Sequence, residues 1–224
     1  MQADAGYLTP PVVSQVRLDG ESLQISGAAP ASSRVRLATP EGKALFADAD
    51  SKGFWGLTTP RGTQPQIYGL SATTGGRTVQ SEGYLLLTPD GEAALLRAGA
   101  GALRVGRAGR NDMDAVDFDR EGGAVVSGRA PAGAALSVHV DGRKLAEGRA
   151  DARGRYVLSL TQALPAGRRQ IDVFGDATEN PVEIDATPAA ALSSGPFRAA
   201  ATPAGLRIDW MTPGGGVQST ILLK

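Results

Sequence analysis

The sequence predicts an all-β chain built from two similar sandwich-type units. Three observations predict it. A stretch near the N-terminus recurs about a hundred residues later. Apolar and polar residues alternate over short runs. Gly (30) and Pro (14), among 224 residues, separate those runs with turn signals.

Leu23-Gln-Ile-Ser-Gly-Ala-Ala-Pro-Ala31 meets Ala124-Val-Val-Ser-Gly-Arg-Ala-Pro-Ala132, an offset of 101 residues from Ser26 to Ser127. At the same offset Asp50, Gly53, Trp55 and Leu57 meet Asp151, Gly154, Tyr156 and Leu158. Just upstream, Val16-Arg-Leu-Asp19 resembles Val116-Asp-Phe-Asp119 at an offset of 100.

The elements follow in order. Val35-Arg-Leu37 and Leu136-Ser-Val-His-Val140 have the period of a half-buried strand. Phe54–Leu57 and Arg155–Leu160 do the same, with Trp55 and Tyr156 facing the core. Between each pair lies Asp-x-x-Gly, a turn whose Asp accepts backbone N–H groups while Gly takes positive φ. Asp141-Gly142 signals a two-residue hairpin. Glu92–Arg97 is the only helix-friendly segment, too short to be stable alone. Thr-Pro-x-Gly, which suits a type I turn, starts at Thr39, Thr59, Thr88, Thr202 and Thr212.

The pattern Ile25-Ser-Gly-x-Ala-Pro … Asp50-x-x-Gly-x-Trp-x-Leu57, with its second copy Val126-Ser-Gly-x-Ala-Pro … Asp151-x-x-Gly-x-Tyr-x-Leu158, resembles bacterial Ig-like domains. Transthyretin-like, carboxypeptidase-regulatory domains carry a similar pattern and are the second choice; both are β-sandwiches. The resemblance covers about a third of the chain. It implies two tandem immunoglobulin-like sandwiches, expected at 12–98 and 112–224 with a Gly/Ala/Arg linker at 99–111. It also implies an extracytoplasmic structural or protein-binding module of a bacterial envelope or surface assembly. A carbohydrate- or peptidoglycan-binding module is the alternative.

Composition excludes several classes. The 23 basic and 23 acidic residues cancel, unlike the basic excess of a nucleic-acid binder. There is no Cys, hence no disulfide or thiolate chemistry. No apolar run approaches the roughly 20 residues of a membrane helix. The opening "MQADAGYLTPP" lacks a signal peptide's basic start and apolar stretch, as expected for a mature exported chain.

Candidate sites are few. Thr212-Pro-Gly-Gly-Gly216 invites a phosphate loop, but a β-branched run follows where a helix is needed, so a hairpin is expected. Ser137, His139 and Asp141 share one strand face, with side chains expected to stand parallel, out of the contact a triad needs. Asp112, Asp114, Asp117, Asp119 and Glu121 gather where the units join. They are calcium candidates, or a solvated strand face alternating with Val116 and Phe118. No other cofactor is expected. Arg97, Arg104, Arg107 and Arg110 read as a flexible connector or a patch for anionic polymers. Glu183 and Asp185 are the weakest candidates, a glycosidase-type carboxylate pair. Phe54 is expected to be exposed and to touch a partner or a sugar face. Val217, Thr220 and Ile221 are expected to pair with an envelope protein if their strand lies on an edge.

Overall fold

The computed structural model describes residues 7–106, 112–175 and 178–224. It is all-β and divides into two compact units, 1–95 and 96–224.

Unit 1 begins with β1 (Val12–Asp19), β2 (Ser22–Ala28), β3 (Arg34–Ala38) and β4 (Ala44–Asp48). It continues with β5 (Phe54–Pro60), β6 (Gln66–Thr74), β7 (Arg77–Leu87) and β8 (Ala93–Leu96). Its sheets run β1-β2-β5 and β4-β3-β6-β7-β8. Alternation sets the inward faces. Leu23, Ile25 and Trp55 are buried from one sheet; Val35, Leu37, Leu70 and Ala72 are buried from the other. The segment Glu92–Arg97 is strand β8 rather than a helical turn, because Ala94 and Leu96 point into a packed sheet.

Unit 2 holds the short β9 (Leu103–Arg104), then β10 (Met113–Phe118), β11 (Ala124–Arg129), β12 (Ala135–Val140) and β13 (Arg143–Arg149). β14 (Arg155–Ser159), β15 (Arg168–Gly175) and β16 (Thr178–Asp185) follow, and β17 (Phe197–Ala201), β18 (Gly205–Met211) and β19 (Val217–Leu223) complete it. Its sheets run β14-β11-β10-β19-β18-β17 and β13-β12-β15-β16. Val116, Val126, Tyr156, Leu158 and Ile221 of the first meet Leu136, Val138, Ile171, Val173 and Ile184 of the second in one core.

Adding nine to each label of β1-β2-β5 and β4-β3-β6-β7 gives β10-β11-β14 and β13-β12-β15-β16. Three strands packed on four in this order form an immunoglobulin-like sandwich. The local bonds coincide as well. Asp50 Oδ1 accepts the N–H groups of Lys52 and Phe54; Asp151 Oδ1 accepts those of Arg153 and Arg155. Gly53 and Gly154 close these turns at φ +86° and +70°, where a side chain is strained. A bulge interrupts β1 at Val13/Gln15 and β10 at Met113/Ala115.

Four of the Thr-Pro-x-Gly segments close turns. The N–H groups of Gly42, Gly91, Gly205 and Gly215 bond back to the carbonyls of Thr39, Thr88, Thr202 and Thr212. Thr59-Pro60 differs: both residues finish β5, with Thr59 opposite Leu23 on β2. The glycine-rich stretch joins β18 to β19 as a hairpin, with Met211 opposite Val217. No helix follows it to cradle a phosphate.

Candidate interaction surface

Residues proposed from sequence as chemistry are mostly consumed in turns and packing. Asp114 is buried and lies 3.9 Å from Arg129. Asp119 accepts N–H groups from Glu121 and Gly123 at 3.0 and 2.8 Å, the same turn that Asp50 and Asp151 make. Glu121 is exposed and Asp112 half-buried. Among the described residues, no group of three or more His, Cys, Asp or Glu side chains is gathered as a metal centre.

Asp117 departs from the expected solvated face. It is buried, and its carboxylate accepts the Ala102 N–H at 2.7 Å, the Gln218 amide at 3.0 Å and the Thr220 hydroxyl. Burial pushes its pKa up to about 6, against the lowering effect of those donors and of Arg97. The cover comes from the segment expected as linker. Gly99 donates to Gln218, and Ser127 donates to the Ala102 carbonyl at 2.7 Å. Arg97 folds back onto the carbonyls of Ala100 and Gly101. Arg104 is buried and donates to the Leu223 carbonyl. These two cations are therefore part of unit 2 and not an exposed patch; Arg107 and Arg110 lie outside the described residues. The unit boundary accordingly falls after Leu95 rather than at a connector starting at residue 99.

Ser137 and His139 do meet, Oγ to Nε2 at 3.2 Å, where parallel side chains out of contact were expected. A bulge between Val138 and His139 breaks the regular spacing of β12 against β13. Asp141 does not complete a triad. Its carboxylate accepts the Gln170 N–H and pairs with Arg169, while the His139 ring packs edge-on against Phe174. Glu183 is exposed beside Arg168 at 3.9 Å. Asp185 bonds Thr187, whose hydroxyl and N–H hold its carboxyl below the usual range, the reverse of what a proton donor needs.

The edge expected at β19 is not there. β19 pairs with β10 on one side and β18 on the other, and Thr220 and Ile221 are 0% and 1% exposed. Val217 is half-buried at the hairpin mouth. These three residues build the sheet, because β10 offers an apolar seam that Ile221 and Leu223 fill. Phe54 is exposed, 64%, at the start of β5.

An open edge lies instead at β1. Among the described residues it pairs only with β2, and Val12 and Leu18 are exposed along it. Beside it, Gln15, Arg17, Gln24, Ser26, Gly56 and Thr58 line a groove of about 450 Å³ on the outer face of the sheet. Registers match between the units. Ser26 opposes Gly56 where Ser127 opposes Val157, and Gln24 opposes Thr58 where Val125 opposes Ser159. The unit 2 counterpart of this face is the one covered by residues 99–102 through Asp117 and Ser127. Sequence alone hid this contrast, because the covering segment reads as a Gly/Ala-rich spacer.

No protein-family model matches the chain, and no curated protein matches it. Several solved structures are similar to it, two of them as follows. "Biofilm associated protein - BSP domain" shares 14% identity over 83% of this chain, which spans 30% of that chain's length, with a TM-score of 0.28. "Central Fibronectin-III array of RIM-binding protein" shares 13% identity over 96% of this chain and 86% of that one, with a TM-score of 0.29. At such TM-scores neither carries an argument, and the fold rests on the strand order and core described above.

Proposed function

We propose that the chain is a tandem pair of bacterial Ig-like domains acting as a non-enzymatic, extracytoplasmic module that binds protein in an envelope or surface assembly. One observation carries the binding role: the edge and outer face left open in unit 1 are both covered in unit 2. An unpaired strand edge beside a groove is a template for another chain. The non-enzymatic reading is supported by the use of the candidate acids and of Asp141 in turns and ion pairs. Placement outside the cytoplasm is supported by the resemblance of the two Ser-Gly … Asp-x-x-Gly segments to bacterial Ig-like domains.

Fractionation of the native host tests the reading. The chain is expected with the envelope or the culture medium; recovery with cytosolic markers overturns it. Exposed Phe54 favours a second reading, an aromatic contact to a sugar face. Pelleting with purified sacculi, lost on Phe54→Ala, supports that alternative, and an unchanged supernatant dismisses it.

A further inference from the structure

We infer that β1 accepts an antiparallel strand from a partner protein, with an aliphatic residue opposite Val16 and an acidic residue opposite Arg17. The inference rests on the protein-binding reading above and specifies its chemistry.

Unit 2 supplies the template. β10 and β1 pair with their inner neighbours in the same register, Val116 with Val126 and Val16 with Ile25. On its other side β10 holds β19, with Val116 opposite Ile221, Asp117 opposite Thr220 and Phe118 opposite Ser219. Among the described residues no strand pairs with β1 on that side, and only the Gly91 turn comes close, beside Leu18. The consequence is visible in exposure: Phe118 is 3% exposed and its counterpart Leu18 is 43% exposed. Val116 is fully buried, whereas Val16 is half-buried. The apolar seam that Ile221 completes in unit 2 is thus left unfinished in unit 1.

The edge also lacks several protections against pairing. β1 contains neither Pro nor Lys, and its bulge lies near its N-terminal end, so Gln15–Asp19 remain regular. An aliphatic residue opposite Val16 would occupy the place of Ile221 and cover the seam.

Charge chooses the neighbouring residue. In unit 2 the acceptor Asp117 is met by donors from Thr220, Gln218 and Ala102. In unit 1 the same position holds a donor, Arg17, which is exposed and lines the groove with Gln15 and Gln24. Asp19 is occupied by the Gln24 amide at 2.7 Å, and Glu21 pairs with Arg61 at 2.8 Å. A carboxylate opposite Arg17 would meet its guanidinium across the strands, an opposite-charge pair that stabilises the pairing where a cation would destabilise it. A second copy pairing β1 to β1 about Arg17 would set two guanidinium groups against each other.

The probe is a labelled synthetic peptide spanning residues 216–224 with Thr220→Glu, titrated into the full chain by fluorescence anisotropy. A Thr220→Lys peptide is the comparison. The Glu peptide is expected to bind about fivefold more tightly or better. Arg17→Glu in the protein, at an exposed position, is expected to reverse that preference. Amide exchange should show new protection at residues 15–18. Absence of binding by both peptides, a preference unchanged by Arg17→Glu, or protection confined to unit 2 would each overturn the inference. So would a concentration-dependent dimer in light scattering that mixing the parent chain with Arg17→Glu strengthens, since that marks self-pairing. An envelope-located chain that ignores both peptides would sink this inference alone, whereas cytosolic recovery would sink the reading beneath it.

Discussion

The backbone N–H of Ala102 bonds the buried carboxylate of Asp117 at 2.7 Å, fastening the start of unit 2 onto its own sheet. The bond has a pH signature. Burial raises the pKa of Asp117 from 3.8 to about 6, so the folded state binds its proton more tightly than the unfolded chain does. Its contribution to stability is therefore fully present below about pH 4 and is lost as pH rises through about 6. The difference is of order 3 kcal/mol. Urea unfolding of the full chain between pH 4 and 7 should show unit 2 weakening as pH rises. Asp117→Asn should flatten that slope. A slope that persists in the variant would assign the effect to another group.

The Ser-Gly pair shared by the two copies has a steric reason. A Cβ on Gly27 would lie 1.9 Å from the Val12 carbonyl oxygen. One on Gly128 would lie 2.3 Å from the Asp112 carbonyl oxygen and 2.5 Å from the Tyr156 hydroxyl. Both carbonyls belong to backbone just before or at the start of the bulged strands, so neither can yield cheaply. Gly27→Ala and Gly128→Ala should each destabilise their own unit by about 3 kcal/mol, at the upper end of the usual overpacking cost. Gly20→Ala, beside open space at φ +58°, should cost less, about 1 kcal/mol. Thermal melts of the three variants check the order.

Much of the fold was legible because its devices are local. The alternation of Val35 and Leu37, the Asp-x-x-Gly turns and the Thr-Pro-x-Gly turns each act within a few residues. The placement of β19 was not legible. Its sequence is that of any strand, and pairing with β10 is a contact across a hundred residues with no local mark. Asp117 failed for the same reason. Alternation correctly put it on the face opposite Val116, but only the distant Ala102 segment determines that this face is covered. Arg104 shows the converse, a charged residue in a Gly/Ala-rich stretch that nevertheless finds a buried carbonyl.

Asp209 should show the opposite pH dependence from Asp117. Its carboxylate accepts Arg198 at 2.6 Å, Arg207 at 2.8 Å and Ser219 at 2.7 Å. Burial raises its pKa, but those donors outweigh burial and leave it lowered. Its stabilisation is present above the unfolded carboxylate pKa and disappears as pH falls through the lower folded value. Acid unfolding of unit 2 should begin in that range. Asp209→Ala should cost about 3 kcal/mol at pH 7, because it takes the paired carboxylate from the partly buried Arg207, which keeps only neutral partners such as the Asp185 and Thr187 carbonyls. An exposed control, Glu147→Ala, should change stability little; its partner Lys144 is also at the surface.

Removal of residues 217–224 tests the interior position of β19. Were this strand an edge appendage, its loss would leave a folded unit 2 with altered association. As an interior strand it supplies Ile221 and Leu223 to the core, Thr220 to Asp117 and Trp210, and the whole link between β10 and β18. Each loss alone is worth about 1–3 kcal/mol. Together they are comparable with the whole stability of a typical domain, about 5–15 kcal/mol. The truncated chain should therefore lose the cooperative melt of unit 2 while keeping that of unit 1, whose strands β1–β7 pair with one another. Limited proteolysis should then release a protected fragment ending near Leu95. A truncated chain that still melts in two transitions would show that β10 and β18 hold without the strand between them.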